Sequence, residues 1–395
     1  KAPMQRLADK ISSVFVPIVI VIAVITFVIT YFVTKQFDRA LLNSVSVLVI
    51  ACPCSLGLAT PTAIMVGSGK GAELGILIKS AEVLETANKI DAVILDKTGT
   101  ITNGKPEVVD YQSKDTDFLK IVSSIEKNSE HPLADAVVKE YEKNNSDFYN
   151  VKDFHSITGK GLSAKINTDN YFIGNEKLMK DNNIRFDVDI KKYQSQGNTV
   201  VLVGKNEDFY GYILIADKIK ESSSKAVEKL KNDNIDVYMI TGDSENTAKH
   251  IAEKANIDHV IAECLPKDKS DKVLDLKNKG KKVGMVGDGI NDAPALATSD
   301  VGFSIGTGTD VAIEASDITI INGDLNKVNT AIRLSHRVIK TIKQNLFWAF
   351  FYNVIGIPIA AFGFLNPMIA GAAMAFSSVT VVTNSLRIKN FKEEK

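Results

Sequence analysis

The sequence predicts two kinds of structure in one chain: an α-helical transmembrane region of four helices, and an α/β doubly wound domain carrying an inserted α+β module. Three observations carry this. Apolar runs occupy both ends of the 395-residue chain, at 11–33, 41–66, 345–363 and 367–386, and a helix needs about 20 such residues to cross a bilayer. Between 216 and 340, short apolar segments alternate with helical patterns, the signature of strands joined by helices. Between 104 and 214 that rhythm gives way to a mixture of short strands and helices.

The first apolar run, Ile11–Val33, carries no charge. It is too long for a signal peptide and lacks a small-residue cleavage site. Pro17 kinks it without preventing insertion. The second run, 41–66, is interrupted by Cys52-Pro53-Cys54 and by Pro61. Broken helices are tolerated in a membrane where they line a cavity, and such interruptions point to a transported-ion site. The proline frees local backbone and turns the Cys52 and Cys54 thiols toward a shared interior. Soft sulfur ligands favour Cu(I) over hard ions, and as a mere packing device the tripeptide is costly. The 67–90 segment reads as an amphipathic helical stalk, in which Gly67, Gly69, Gly71 and Gly75 permit close packing or a bend against the bilayer.

The apolar run Asp91–Leu95 followed by Asp96-Lys97-Thr98-Gly99-Thr100 reads as a buried strand ending in a loop. In open α/β sheets the chemistry sits outside the carboxyl ends of the strands. Asp96 is thereby presented where its carboxylate attacks phosphorus or binds a metal. In the module that follows, a helix is expected near 116–127, strands near 161–174 and 199–215, and a helix near 176–182. The later strands are Val237–Ile240, Val260–Ala262, Val283–Val286, Asp300–Ile305 and Ile318–Ile321. Because Asp96 belongs with them, the module is an insertion after the first strand. The resulting division is 1–80 for membrane helices and stalk, 81–103 and 215–343 for the doubly wound domain, 104–214 for the insertion, and 344–395 for the last helices and tail.

Composition narrows the function. The 47 basic and 47 acidic residues cancel, so no general attraction to nucleic acid is expected. Three cysteines, two of them in one tripeptide, argue against a disulfide framework and fit a reducing compartment. Basic residues flank the outer apolar runs: Lys1, Arg6 and Lys10 before the first, Arg387, Lys389 and Lys392 after the last. The positive-inside rule makes both termini and the large 67–343 region cytoplasmic. No Gly-x-x-x-x-Gly-Lys-Ser/Thr loop occurs, which disfavours a P-loop nucleotidase.

Asp96-Lys97-Thr98-Gly99-Thr100, then Thr241-Gly242-Asp243, then Gly287-Asp288-Gly289-Ile290-Asn291-Asp292 resemble the P-type ATPases, in the family's order. Cys52-Pro53-Cys54 resembles the heavy-metal branch. Tyr352-Asn353 and Met374…Ser377-Ser378 resemble its copper(I)/silver(I) members. The resemblance implies a haloacid-dehalogenase-like phosphorylation domain, an inserted nucleotide-binding domain, and ATP-driven export of Cu(I) through an aspartyl-phosphate at Asp96. It implies Mg²⁺ held by Asp288, Asp96 and the Thr98 carbonyl, supported by Asp292. Lys97, Thr241, Gly242, Asp243 and Asn291 belong to the phosphorylation motifs. Lys269 resembles the lysine that neutralises phosphate charge, although Lys267 is not separated from it by spacing alone. Glu126, His131, Gly159, Gly161, Gly197 and Asn198 match the ATP site, with His131 against adenine.

In the membrane, Met374 and Ser378 share a helix face and Met374 offers a thioether. Tyr352 and Asn353 order or join the site, which with Cys52 and Cys54 is the expected Cu(I) site. Simple packing is the alternative for Met374, Ser377, Ser378 and Tyr352. Asp9 is either a ligand at the cytoplasmic mouth or an interfacial charge, and Cys264 is structural. The resemblance further implies a bacterial plasma membrane and delivery of Cu(I) by a copper chaperone. Zinc is the alternative cargo, but that branch uses a membrane lysine and aspartate, and neither occurs in 345–386. No Thr-Gly-Glu or N-terminal Cys-x-x-Cys module is present, so the chain is expected to be the C-terminal portion of a pump. A soluble phosphatase of the same superfamily and a non-catalytic metal-binding fragment are the alternatives from other classes.

Overall fold

Helix α1 (Pro3–Thr34) passes Pro17 unbroken. Helices α2 (Phe37–Ile50) and α3 (Cys54–Glu73) divide the second apolar run at the Cys-Pro-Cys tripeptide, where proline has no amide hydrogen to continue the ladder. Pro61 lies inside α3 without ending it. After α3 the chain turns at Gly75, φ +75°, into β1 (Ile76–Ile78) and then α4 (Ala81–Ala87), capped by the Ser80 side chain. The amphipathic helical stalk expected over 67–90 is therefore corrected to helix, strand and helix. The left-handed closure at glycine ends the helix, and the Ile76-Leu77-Ile78 run pairs as a strand instead. Gly67 serves the packing of two helices rather than the bilayer: a Cβ there would fall 2.3 Å from Val338 Cγ2.

Strand β2 (Ala92–Asp96) is buried along its whole length. The inserted module comprises β3 (Glu107–Ser113), α5 (Phe118–Glu126), α6 (Pro132–Glu142), β4 (Val151–Ile157), β5 (Gly161–Ile166), β6 (Asp169–Gly174), α7 (Glu176–Asp181), α8 (Ile190–Gln194), β7 (Thr199–Lys205) and β8 (Asp208–Ala216). Then follow α9 (Glu221–Asn232), β9 (Asp236–Ile240), α10 (Glu245–Lys254), β10 (His259–Ile261), α11 (Lys269–Asn278), β11 (Val283–Gly287), α12 (Ala293–Thr298), β12 (Val301–Ile305), α13 (Asp310–Ala315) and β13 (Ile318–Ile320). The chain closes with α14 (Asn326–Ala361) and α15 (Pro367–Leu386).

This computed structural model describes residues 3–288, 290–306 and 310–393; Gly289 and the Asp9 side chain lie outside the described residues. The described residues fall into two units. One lies within Lys1–Ile90, Asp300–Gly306 and Ser316–Lys395, the other within Asp91–Ser299 and Thr307–Ala315.

In the second unit, β11, β2, β9 and β10 lie side by side and parallel, with Leu95 opposite both Val286 and Met239. Parallel strands point their carboxyl ends the same way. Asp96, Thr241 and Asp288 therefore emerge at one edge, each at or just past its strand's end. The insertion forms a six-stranded antiparallel sheet, ordered β3-β8-β7-β6-β5-β4. Helices α5 and α6 cover it through Phe118, Val122, Ile125 and Val137 against Ile173, Val203 and Ile213.

The first unit holds the long helices. Val19 and Ala23 of α1, Val47 and Ile50 of α2, Ala360 of α14, and Ala370 and Met374 of α15 share one core. β1 runs antiparallel to β13, with Ile76 opposite Ile320, and β13 runs parallel to β12. Among the described residues, three helical segments are long and apolar enough to cross a membrane: Lys10–Thr34, Phe37–Glu73 and Pro367–Asn390. The fourth expected span, 345–363, falls in the second half of the 36-residue α14. Gln344, Asn345 and Asn353 make that half more polar than the other spans.

Candidate functional site

Asp96 ends β2 and is buried; its Oδ2 accepts a hydrogen bond from the Thr98 amide at 3.0 Å. The turn after it demands glycine: Gly99 has φ +73°, and a Cβ there would fall 1.5 Å from Asp288 Oδ2. Asp288 follows β11, and Asp292 ends the short turn beyond it. One carboxylate oxygen from each of Asp96, Asp288 and Asp292 lies within 4.8 Å of the others.

Lys269 opens α11 and is buried among these acids; its Nζ lies 2.6 Å from both Asp96 Oδ1 and Asp292 Oδ1. Lys267, in the preceding turn, is exposed. Helix α11 thus brings Lys269, and not Lys267, to the carboxylates. Burial depresses the Lys269 ammonium, but Asp96 and Asp292 outweigh it and hold the pKa above the ordinary lysine range. Burial and Asp292 raise the Asp96 carboxyl, against the pull of Lys269. Burial, then Asp292, pushes Asp288 up to about 6. Crowded carboxylates that resist ionising together call for further positive charge, and an all-oxygen donor set suits Mg²⁺.

Thr241 is buried just past β9, and its Oγ1 accepts from the Asp243 amide at 3.1 Å. Gly242 is exposed at the turn. Asp243 Oδ2 pairs with Lys97 Nζ at 2.9 Å, which ties the second motif to the first across 146 residues of sequence. Asn291 is exposed.

Sequence reasoning missed Lys220 and Asp217. Lys220 Nζ donates to the Gly99 carbonyl at 2.5 Å. Asp217 accepts from Thr102 Oγ1 at 2.5 Å and from the Gly104 amide at 3.1 Å. Both pin the chain crossings into and out of the insertion. Their signal was the charged run Asp217-Lys218-Ile219-Lys220 directly after the apolar β8.

In the insertion, Glu126 ends α5 and is buried, and burial alone raises it to about 7. His131 caps α6: its Nδ1 accepts from the Leu133 amide at 3.2 Å. Local burial, and then the Lys97 charge, lower the His131 pKa. His131 therefore lies within electrostatic reach of Lys97. Gly159 sits in the β4–β5 turn. Gly161 meets its own sheet, since a Cβ there would lie 2.1 Å from the Ile173 carbonyl oxygen. Close approach to a neighbouring strand thus accounts for this glycine. Gly197, φ +87°, leaves room for His250, whose Cδ2 would be 2.7 Å from a Cβ. Asn198 is buried, and its carbonyl accepts from Thr247 Oγ1 at 3.4 Å.

In the helical unit, Cys52 is half-buried against the core that holds Met374, while Cys54 is exposed. The two are joined by a disulfide, a correction to the expected pair of free thiols. Their Cα atoms lie 5.4 Å apart, within the reach of such a bridge. Cys264 is buried in the core beside the parallel sheet, with Ile94, Ile240 and Met285. Asn353 is buried and its Oδ1 has no hydrogen-bond partner; the same holds for Ser377 Oγ. Ser378, the serine singled out from the sequence, is only half-buried, as is Tyr352. Ser377 is the inward one of the serine pair.

Comparison with known proteins agrees with this architecture. A family model for haloacid dehalogenase-like hydrolases matches residues 90–300. The copper-exporting P-type ATPase of Staphylococcus saprophyticus is 51% identical over 401 residues, covering 99% of this chain and 50% of that protein. The protein of the same name from Staphylococcus aureus (strain MW2) is 50% identical over 400 residues, covering all of this chain and 50% of its own length. The chain thus spans about half the length of the curated relatives it matches. Among solved structures, a zinc-transporting PIB-type ATPase in the E2.Pi state is 29% identical with a TM-score of 0.77, covering 98% of this chain and 65% of that one. The catalytic domain of the CPx-ATPase CopB-B is 30% identical with a TM-score of 0.55, covering 67% of this chain and 98% of that one. The parallel sheet, the inserted sheet and the long helices have these counterparts, and the chain belongs to the haloacid dehalogenase-like hydrolases, in the heavy-metal branch of the P-type ATPases.

Proposed function

We propose that this chain is the phosphorylation, nucleotide-binding and ion-binding part of an ATP-driven Cu(I) exporter. The observation that carries the reading is the strand-end cluster, in which Lys269 bridges Asp96 and Asp292 with Asp288 alongside. In this reading an Asp96 carboxylate oxygen attacks the γ-phosphorus of ATP. A P–O bond forms to Asp96 as the bond to the β–γ bridging oxygen breaks, and ADP leaves with that electron pair. Water later cleaves the aspartyl-phosphate. Thr241 and the Gly242 amide hold phosphoryl oxygens, and Asp243 positions Lys97 beside them. Asp96, Asp288, Asp292 and the Thr98 carbonyl are the donors for Mg²⁺, with Asn291 at the rim. When bound, the ion supplies positive charge against the transferring phosphoryl group.

ATP is assigned to Glu126, His131, Gly159, Gly161, Gly197 and Asn198. The domains divide as 1–80, 81–103 with 215–343, 104–214 and 344–395. In the membrane, reduced Cys52 and Cys54 with Met374 take Cu(I), and Tyr352, Asn353 and Ser378 shape the site. The unpartnered buried oxygens of Asn353 and Ser377 support a polar ligand there. We place the protein in a bacterial plasma membrane with its catalytic region and both termini cytoplasmic, receiving Cu(I) from a copper chaperone. The curated relatives' names support copper over zinc.

The test is acid-stable labelling from γ-³²P-ATP in detergent, with Cu(I), Zn(II) or chelator, and Asp96→Asn as control. Label that requires Asp96 and rises with Cu(I) through Cys52 and Cys54 is expected. Label that survives Asp96→Asn overturns the phosphorylation reading, and stimulation by Zn(II) alone overturns the choice of cargo.

A further inference from the structure

One buried side chain ties together the three helices that carry the proposed ion site. Asn345 of α14 is fully buried. Its Nδ2 donates to the Ala59 carbonyl of α3 at 3.1 Å and to Ser385 Oγ of α15 at 2.8 Å. Its Oδ1 accepts from Asn384 Nδ2 at 2.9 Å. Asn384 also reaches Gln344 at 3.3 Å, and Ser385 Oγ donates back to the Val381 carbonyl at 2.9 Å. Both donors and the acceptor of one amide are thus spent on two neighbouring helices.

The spacing relates this clasp to the ion site. Asn345 lies seven residues before Tyr352, and Ser385 lies seven after Ser378 and eleven after Met374. Seven and eleven residues are close to whole numbers of turns at about 3.6 residues each. The clasp therefore lies on the helix faces that carry those groups, roughly 10 Å along the axes from Tyr352 and Ser378 at about 1.5 Å per residue. On α3, Ala59 follows Cys54 by five residues.

Packing alone does not call for an asparagine here. Apolar contacts hold membrane helices together but leave them free to slide, whereas a satisfied buried amide selects one register. We propose that Asn345 is a positioning residue for the transported ion: it sets the axial register of α3, α14 and α15 so that the Cys52/Cys54, Tyr352 and Met374 groups converge. The proposal rests on the Cu(I) reading above.

The test uses this chain in lipid nanodiscs, with the Cys52–Cys54 disulfide reduced by a phosphine. Cu(I) affinity is measured by competition with bathocuproine disulfonate, and the sulfur shell of bound Cu(I) by X-ray absorption. Asn345→Leu removes all three bonds. It should weaken Cu(I) about tenfold, equivalent to about 1.4 kcal/mol, and lose the thioether from the sulfur shell, while ATP affinity stays native. Ser385→Ala removes one acceptor, and should shift affinity the same way by a smaller factor; it decides the matter where Asn345→Leu fails to fold. Native Cu(I) affinity and an intact sulfur shell in a folded Asn345→Leu, or in Ser385→Ala where that variant alone folds, overturn the proposal. Absence of Cu(I) binding by the native chain overturns the copper reading instead.

Discussion

Replacing Lys269 with methionine keeps most of the side-chain volume and removes the charge between Asp96 and Asp292. Two 2.6 Å ion-pair contacts vanish at once. A hydrogen bond to a charged group contributes about 1.5–3 kcal/mol, and stripping one partner from a buried ion pair costs about 3–5 kcal/mol. Asp96 is already raised by burial and by Asp292, and Lys269 is what opposes them. Without it, the Asp96 carboxyl should rise by about one to two further pH units, at 1.36 kcal/mol per unit. In the proposed mechanism the nucleophile is the carboxylate, so the rate of ATP-dependent labelling at pH 7 should fall about 10- to 100-fold by the same conversion. The midpoint of the pH–rate curve should move upward. Stability follows the same sign. A carboxyl with a raised folded pKa keeps its proton longer folded than unfolded, so stability is lost as pH rises through the folded pKa. The variant should therefore regain stability in acid. The assay is quench-flow labelling across pH at constant magnesium, with a parallel thermal melt. A native rate with an unmoved midpoint in folded Lys269→Met refutes the assignment of Lys269.

Other perturbations test separate parts. Glu126 is raised to about 7 by burial, so its contribution to stability falls as pH climbs from the ordinary glutamate range through 7. Glu126→Gln should stabilise the protein above pH 7 by up to about 3 kcal/mol, read as a melting difference that closes in acid, while ATP affinity drops. Gly99→Ala forces a Cβ against Asp288 Oδ2 at φ +73°; labelling should fall at least about tenfold, one 1.4 kcal/mol step, with nucleotide affinity retained. Cys52→Ser with Cys54→Ser should abolish Cu(I) binding, and with it the Cu(I) response of labelling, but leave ATP binding unchanged. Titration with a Cu(I) chelator and a fluorescent nucleotide separates the two.

Much of the strand-end carboxylate cluster was legible in the chain itself. Asp96 closes an apolar run just before a glycine, and a buried strand ending in a loop presents that carboxylate at the sheet edge. Cys52-Pro53-Cys54 announced the break between α2 and α3, since proline lacks the amide that a helix needs. The stalk was misjudged because the 67–90 pattern suits a helix locally. The strand at Ile76–Ile78 forms only by pairing with Ile318–Ile320, some 240 residues away. Gly161 fits the nucleotide pattern, yet its need for glycine comes from a neighbouring strand's backbone.

Periodicity, proline and glycine placement, and the order of short motifs determined which segments are long and apolar enough to enter a membrane, where the strands end, and which carboxylates stand at those ends. These are local properties, written in neighbouring residues. Only the tertiary structure decided between Lys267 and Lys269, joined Lys97 to Asp243, turned Ser377 rather than Ser378 inward, and brought Asn345, Ala59 and Ser385 together. Each of those outcomes depends on the direction one side chain takes relative to another element far away in sequence. That direction is set by packing and by the need to satisfy buried polar groups, neither of which a local pattern encodes.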